Sequence, residues 1–332
     1  MRQLSLLIAV AVLLVFSSGC SSSRGFTASF ENDLFTGTDQ AYTNGVRFGT
    51  AVPIDDPAEK APKLLRDHFR ICQTETQLNC YGSVEAGWHL SQNMYTPKDL
   101  SRTRLLRTDQ PYGGWLYVGR FFDVADRDTR HHLEVSAGVV GPASIAEQTQ
   151  KFIHRVFPGG AKPMGWDNQL RNEPALQSRY VFETRPSKLR VDIKDMTIVD
   201  VVPQLDLQLG NVFISGAAGA SLRFGYNVTG FAPTNIGALG ATPRLDRPFS
   251  LWLYGRAQER GVARNIFLDG NTFVDSHRVP RRNEVRESEL GGVVRWRVWQ
   301  LQYARVRRSS EFEGSTGGHN YGVLSLSRGL SF

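Results

Sequence analysis

The last segment of the chain alternates between apolar and small or polar residues with a period of two. One set of alternate positions is apolar apart from Arg328 and comprises Leu324, Leu326, Leu330 and Phe332. The other set comprises Ser325, Ser327, Gly329 and Ser331. A period of two places successive side chains on opposite faces of a β-strand. The segment therefore predicts a strand with one face in an apolar environment and the other in a polar one.

Strand-like runs recur along the chain, separated by clusters of Gly, Pro, Asn and Asp. Twelve are predicted, near residues 26–34, 42–52, 82–91, 113–124, 130–141, 174–185, 196–209, 212–227, 249–262, 285–298, 300–312 and 319–332. An even number of antiparallel strands is typical of single-chain bacterial outer-membrane barrels, and so is a last strand that ends on an aromatic residue. The sequence therefore predicts an all-β fold, an antiparallel transmembrane β-barrel of about 12 strands.

The N-terminal segment predicts export. Arg2 precedes an apolar run from Leu4 to Phe16, and small residues lead from there to Cys20. This is the pattern of a cleaved signal, so we expect an export signal in residues 1–20 and one barrel domain in residues 21–332. Cys20 leaves lipoprotein-type processing open, although Ser17 stands where such sites usually carry Leu.

The net charge limits the classes of binding partner, and the cysteines predict a local cross-link. The net charge is +7, and basic residues crowd into 278–286 and 305–308. Nucleic acid is a poor partner for an exported protein, so we expect these arginines to face phosphorylated glycolipid at the membrane surface, the alternative being solvated rim charge. Cys72 and Cys80 predict a local disulfide in an oxidising compartment, with a thiol or metal site as the alternative. We expect a monomer.

One segment departs from the strand pattern. Residues 142–157 carry apolar residues at helical spacing, and Pro158-Gly159-Gly160 would end the helix. A helix between two barrel strands has no place in the wall, so this insert in an outer loop either plugs the lumen or lies over the rim. If the first strand runs outward, residues 53–81 and 228–248 become long inner connections, which leaves room for a miscounted strand.

Polar motifs concentrate in the segments predicted to lie outside. They are FENDLFTGTDQAYTNGVRFG (30–49), SQNMYTPKDL (91–100), DQPYGGWLYVG (109–119), GPASIAEQTQKFIHRVF (141–157) and GWDNQLRNEP (165–174). In this order, and over nearly the whole mature chain, the motifs resemble those of the LpxR-type lipid A deacylases. That resemblance implies an outer-membrane barrel with its active site between the wall and the outer loops. It also implies calcium-dependent removal of the 3′-linked acyloxyacyl chain of lipid A, either as free lipid A or as part of lipopolysaccharide.

The resemblance assigns roles to individual residues. Asn32 and Asp33 match the family's Asn-Asp pair, Thr43 its strand-two hydroxyl, and His154 its helix histidine. The family's acidic residue shortly after that histidine has no match, because residues 157–160 are Phe-Pro-Gly-Gly, and Glu173 is a candidate replacement as a calcium ligand. The expected substrate-binding residues are Lys98, Arg102 and Gln150.

Ester hydrolysis needs a nucleophile, a base and stabilisation of the oxyanion. The hypothesis is that His154 activates a water, that calcium held by oxygen ligands including Asp33 polarises the carbonyl, and that Asn32 and Thr43 orient the reacting groups. Ser144 offers an alternative nucleophile, although no Gly-x-Ser-x-Gly elbow occurs. Two other functions stay open at this stage: an outer-membrane phospholipase, and a catalytically silent lipid-binding barrel.

Overall fold

The computed structural model describes residues 25–33, 41–72, 80–156, 162–231, 248–315 and 317–329, so the predicted export signal and residues 330–332 lie outside it. It contains thirteen strands among these residues. They are β1 (Gly25–Asn32), β2 (Ala41–Pro53), β3 (Ser83–Thr96), β4 (Gly113–Ala125), β5 (Thr129–Val140), β6 (Glu173–Thr184), β7 (Arg190–Ile193), β8 (Met196–Gly210), β9 (Phe213–Tyr226), β10 (Phe249–Asn265), β11 (Glu284–Trp296), β12 (Trp299–Arg308) and β13 (His319–Arg328).

Twelve of the strands form a closed antiparallel barrel, as predicted. Strands β1 to β6 follow one another in the sheet, β1 pairs with β13, and β13 leads back through β12, β11, β10 and β9 to β8. Pairing between β6 and β8 closes the ring, with Gln177 opposite Gly210 and Glu183 opposite Gln204. The short strand β7 pairs only with β8 and lies outside the ring. The twelve strands of the ring are the twelve that were predicted. Among the described residues, β7 is the only additional strand, and it is not part of the ring.

The two-residue period arises because the two faces of the wall meet different surroundings. Many side chains on one face of the wall are large, apolar and exposed, as Leu205, Leu207 and Leu209 are on β8. Side chains on the other face are polar and buried in the lumen, where Asp206 accepts hydrogen bonds from Arg179 and Arg260. Ion pairing offsets the cost of removing these charges from water. This apolar-out, polar-in pattern is that of a barrel surrounded by lipid.

The barrel has two ends, here called the terminal end and the loop end. The terminal end holds the start of β1, the end of β13 and two short helices, α1 (Pro57–Lys60) and α2 (Lys63–His68). The predicted disulfide is present there between Cys72 and Cys80, with Cα atoms 5.1 Å apart. The connections over residues 53–81 and 228–248 both leave the barrel at this end, the one that the strand parity predicted for them. Among the described residues, every helix falls short of the length and apolar character needed to cross a membrane.

The loop end carries the predicted helical insert and a short helix that the sequence did not reveal. The insert consists of a 3-10 turn (Pro142–Ser144) followed by α3 (Ala146–Val156), with Ile145 in a left-handed conformation between them. The short helix α4 (Ile266–Asp269) follows β10 and buries its three apolar residues. Phe267 stacks on Tyr95 inside the barrel mouth, with ring centroids 3.7 Å apart. The plug of the lumen is therefore α4, whereas α3 lies elsewhere.

Candidate functional site

The outward face of the wall changes character near the loop end of β1 and β2. Phe30 lies opposite Val46 on this face, and two residues further Asn32 lies opposite Asn44. The next strand continues the row, because Asn44 pairs with Met94 of β3. Asn32 and Asn44 are 2% and 1% exposed, although positions further down the same face, such as Leu90, are 49% exposed. Another part of the chain therefore covers the outward face of the wall at this row.

The covering element is α3. An added Cβ on Gly114, an outward position of β4, would lie 2.2 Å from both the Cβ of Ala146 and the Oγ of Ser144. Only glycine lets the start of α3 approach the wall this closely. The side chain of Gln92, on the outward face of β3, donates a 2.6 Å hydrogen bond to the carbonyl of Ser144. The helical insert thus packs against the outer surface of the barrel rather than inside it.

A small apolar cluster holds α3, the wall and the loops of the loop end together. Its buried members are Met94, Leu100, Tyr112, Ala146, Ile153 and Trp166, with Phe30 partly buried against them. The neighbouring glycine of β4 is packed as tightly, since a Cβ on Gly113 would lie 2.7 Å from Phe267. Trp115, two residues further along, is buried and stacks on Tyr117 in the lumen.

Three polar side chains lie buried where β1 ends and β2 begins. Asn32 ends β1, Asp33 follows it and is fully buried, and Asn44 faces Asn32 from β2. Neither amide atom of Asn44 has a hydrogen-bond partner among the described residues. Buried amides normally find partners within the protein or in a ligand or water. This position therefore has hydrogen-bonding capacity left for a bound molecule.

Thr43 lies at an irregularity of β2. The pairing of β2 with β3 shifts between Tyr42 and Asn44, so Thr43 is an extra residue in its strand. Such bulges re-aim side chains at sheet edges and functional sites. The Thr43 side chain lies outside the described residues, so its predicted role as a site hydroxyl stays a prediction.

The helix α3 presents Gln150 and His154 one turn apart, and residues at this spacing lie on the same helix face. Gln150 is 1% exposed, and its Oε1 accepts a 2.8 Å hydrogen bond from the indole N–H of Trp166. That bond fixes the amide orientation, and the Nε2 donor has no partner among the described residues. His154 is half-buried and adjoins Ile153, a member of the apolar cluster. Gln150 is thus held against the apolar cluster through Trp166, and His154 lies one turn further along the same helix.

The predicted basic residues lie on the loop between β3 and β4. Lys98 and Arg102 are both exposed, while Leu100 and Tyr112 of the same loop pack into the apolar cluster. The Arg102 guanidinium donates a 3.0 Å hydrogen bond to Asp99. Hydrogen bonds from Ser101 and Arg102 lower the pKa of the Asp99 carboxyl. Arg102 is thus paired with Asp99, and Lys98 lines a cavity with Ser310 and His319.

Glu173 is not brought to Asp33. It begins β6, five strands from β1 in the sheet order, and its carboxylate accepts hydrogen bonds from Asn211, Asn271 and the backbone N–H of Thr272. These bonds tie it to the β8–β9 turn and to the loop after β10. Within the described ranges, no group of three or more His, Cys, Asp or Glu side chains is placed to hold a metal ion. The structure thus separates the two expected calcium ligands.

The alternative nucleophile has a structural role. Ser144 is fully buried, and its hydroxyl donates a 2.6 Å hydrogen bond to the carbonyl of Gly141 in the turn before α3. Sequence reasoning missed Asn44 as a candidate site residue and Trp166 as the partner that orients Gln150. Asn44 carried a usable signal: it is an amide at an outward position, and the next two outward positions of the strand are the apolar Val46 and Phe48.

Comparison with known proteins places the chain in a family. The family model described as "Outer membrane protein LpxR" matches residues 4–330. Among solved structures, LpxR from Salmonella typhimurium is similar with a TM-score of 0.72 at 18% identity, over 92% of this chain and 100% of that one. The β-domain of the Bordetella autotransporter BrkA gives a TM-score of 0.45 at 10% identity, over 94% of this chain and 99% of that one. No curated protein sequence matches the chain. The match over nearly the whole length shows that this integral outer-membrane β-barrel protein belongs to the LpxR family.

Proposed function

We propose that this protein is a calcium-dependent lipid A deacylase, which hydrolyses the ester of the 3′-linked acyloxyacyl chain with a water activated by His154. Family membership supports an outer-membrane enzyme that modifies lipid A. The observation that carries the proposal is the position of α3. It covers the row of the outer wall where apolar side chains give way to buried polar ones, so its polar side chains border a lipid-facing surface.

The location suits an ester at the boundary between an acyl chain and a sugar. The acyl chain would lie along the exposed apolar wall below the site, where Phe48 and Leu90 face outward. The ester would reach the row of Asn32 and Asn44, and the sugar would meet the outer loops. We place the loop end of the barrel on the outside of the cell, where the lipid A leaflet lies.

The residues divide the reaction between them. His154 takes a proton from a water molecule, and the water oxygen attacks the ester carbonyl carbon to form a tetrahedral intermediate. The C–O bond to the sugar then breaks, and the protonated imidazole returns the proton to the departing sugar hydroxyl. The Nε2 donor of Gln150, held by Trp166, would bind an oxygen of the substrate. Asn32 and Thr43 would orient the water and the ester.

The donor set fits calcium, with a change from the expected ligands. The buried carboxylate of Asp33 and the amide oxygens of Asn32 and Asn44 are hard oxygen ligands of the kind that Ca²⁺ prefers. Glu173 is replaced in this set by Asn44, because the structure separates Glu173 from Asp33. A bound Ca²⁺ would act as a Lewis acid toward the ester carbonyl.

The test is mass spectrometry of lipid A from a lipopolysaccharide-bearing host that expresses the full chain. Wild type is compared with His154→Gln and with His68→Gln, which makes the same change at an exposed position of α2 at the terminal end. All three must first be shown to be heat-modifiable barrels in the outer membrane. The expected result is loss of one acyloxyacyl group with wild type and the control, and at least about a 10²-fold slower reaction with His154→Gln.

Other outcomes have definite meanings. Full deacylation by His154→Gln would reject the proposed base. Loss of fatty acid from glycerophospholipids alone would favour an outer-membrane phospholipase, and no change in any lipid would favour a silent lipid-binding barrel. Purified protein stripped with a chelator should regain activity with calcium but not with magnesium. Activity that is indifferent to the chelator would reject the metal.

A further inference from the structure

Two arginines on β12 face outward at the loop end without a counter-charge. Arg305 and Arg307 occupy exposed positions in a strand whose other outward residues include Leu301 and Tyr303. Neither guanidinium forms an ion pair within the part of the chain that the structure describes. The nearby Arg308 differs, because it points into the lumen and pairs with Glu287.

The strand register connects these arginines with the candidate site. Arg305 lies opposite Gly322 of β13, and Gly322 lies opposite Asn32 of β1. Adjacent strands are spaced by roughly 5 Å, so the Cα atoms of Arg305 and Asn32 are about 10 Å apart along one row. Gly322 adds no side chain to this row. The side chain of Arg305 is therefore long enough to contact a substrate group that lies one sugar ring away from an ester bound at Asn32.

The surroundings favour an anionic partner. The outward-facing neighbours of the two arginines on β11 and β13 carry no acidic side chain; they are Arg286, Ser288, Leu290, Asn320, Gly322 and Leu324. Arg286 is itself basic and pairs with Glu259 of β10. Arg305 and Arg307 also lie two residues apart on the same face, where their like charges repel. A phosphate ester would relieve this repulsion and accept several guanidinium hydrogen bonds.

We infer that Arg305 and Arg307 form a binding site for a phosphate ester on the sugar headgroup of the lipid substrate. The inference rests on the proposed function, and it adds basic groups to the site on the side of β13. Lys98 follows β3 but lines a cavity with Ser310 and His319 at the β12–β13 connection, so it lies toward the arginine pair. The arginine pair would select substrates that carry the phosphate.

The experiment measures binding separately from turnover. The full chain with His154→Gln, purified in detergent micelles, is titrated calorimetrically with lipid A that carries its phosphates and with lipid A from which they have been removed. The same titrations are made with R305Q/R307Q added, and with R297Q/R328Q added as the control. The control removes two exposed positive charges from the terminal end of the barrel.

We expect R305Q/R307Q to weaken binding of phosphorylated lipid A by about tenfold or more, and to weaken binding of the dephosphorylated lipid much less. The control should bind both lipids as the parent does. Unchanged binding of phosphorylated lipid A, an equal loss for both lipids, or an equal loss in the control would overturn the inference. So would an equal loss of affinity for phosphatidylglycerol, which would assign the arginines to bulk anionic lipid. Should wild type fail to deacylate lipid A, these titrations still decide the phosphate site.

Discussion

The barrel holds buried polar side chains on both faces of its wall, and the two sets are used differently. In the lumen, the carboxylate of Asp206 pairs with Arg179 and Arg260, and that of Asp200 pairs with Arg223. Arg47 keeps two unused nitrogen atoms but still forms an ion pair with Glu134 through its third, although the indole N–H groups of Trp115 and Trp252 have no partner among the described residues. On the outward face of the wall, neither amide atom of Asn44 has a hydrogen-bond partner among the described residues.

This difference separates groups that stabilise the barrel from groups that are available to a ligand. A buried charge pair offsets its own desolvation and fills the lumen. A buried amide without a partner lowers stability, so its retention points to a bound molecule. Changes in the lumen should therefore alter stability, whereas changes under α3 should alter activity.

The largest expected contrast is between two Asp→Asn substitutions. Asp33→Asn should reduce deacylation by at least about 10²-fold, because it removes the carboxylate proposed to bind calcium, while the barrel remains heat-modifiable. Asp206→Asn should leave Arg179 and Arg260 without their counter-ion and destabilise the barrel by about 3–5 kcal/mol. Activity per folded molecule should stay near that of wild type for Asp206→Asn. The two quantities are measured by lipid A mass spectrometry and by urea unfolding in micelles; equal destabilisation by both changes would contradict the distinction.

A change in the hydrogen-bond donor of α3 should have the next largest effect. Gln150→Glu keeps an oxygen to accept the Trp166 N–H but loses the Nε2 donor, so deacylation should fall by about 10- to 100-fold. Gln148→Glu makes the same change on the exposed face of α3 and should leave the rate unchanged. Initial rates on purified lipid A distinguish the two variants. A similar decrease in both would mean that the added negative charge, and not the lost donor, is responsible.

The packing of α3 on the wall should matter less, but measurably. Gly114→Ala places a methyl group against Ala146 and Ser144, and relief of that overlap moves the start of α3 away from the wall. We expect about a tenfold loss of activity with little change in unfolding. Gly255→Ala on β10 is the matched control, because its Cβ would be in ordinary contact with Leu290 at 3.4 Å. Full activity of Gly114→Ala would show that α3 need not lie so close to the wall.

Most of the barrel could be predicted from the sequence, because wall strands repeat one local pattern against two uniform environments. The predicted strand at 249–262 is observed at 249–265, and the helix predicted at 142–157 is observed after the turn at 142–144. The prediction failed where tertiary contacts replaced that pattern. The strand predicted at 82–91 extends to Thr96, because α3 covers the outward face of its last residues. The polar residues of this extension favour a loop when only the local pattern is considered.

The candidate site was partly predictable for the same reason. Asn32 and Asp33 are buried at the end of β1, Gln150 is buried against Trp166, and His154 lies one turn further along the same helix. Their roles stay predictions. The position of Glu173 could not be read from the sequence. It depends on hydrogen bonds to Asn211 and to Asn271, which follow it by 38 and 98 residues. Contacts over such separations carry no local pattern.

The smallest expected effect is also the most direct test of the contrast between the two faces of the wall. Asn44→Leu replaces a buried amide without a described partner by an apolar group, so the free energy of unfolding should stay unchanged or rise by up to about 1 kcal/mol, while deacylation falls. Gln258→Leu in the lumen should instead lower stability and leave deacylation unchanged. The reason is that Gln204 and Glu287 lose their hydrogen bonds to Gln258. There the free energy of unfolding should fall by about 1–3 kcal/mol. Urea unfolding of both variants in micelles, followed by tryptophan fluorescence, gives the sign directly. A loss of stability in Asn44→Leu as large as in Gln258→Leu would mean that Asn44 is held by the protein, and that the outer wall is no better prepared for a ligand than the lumen.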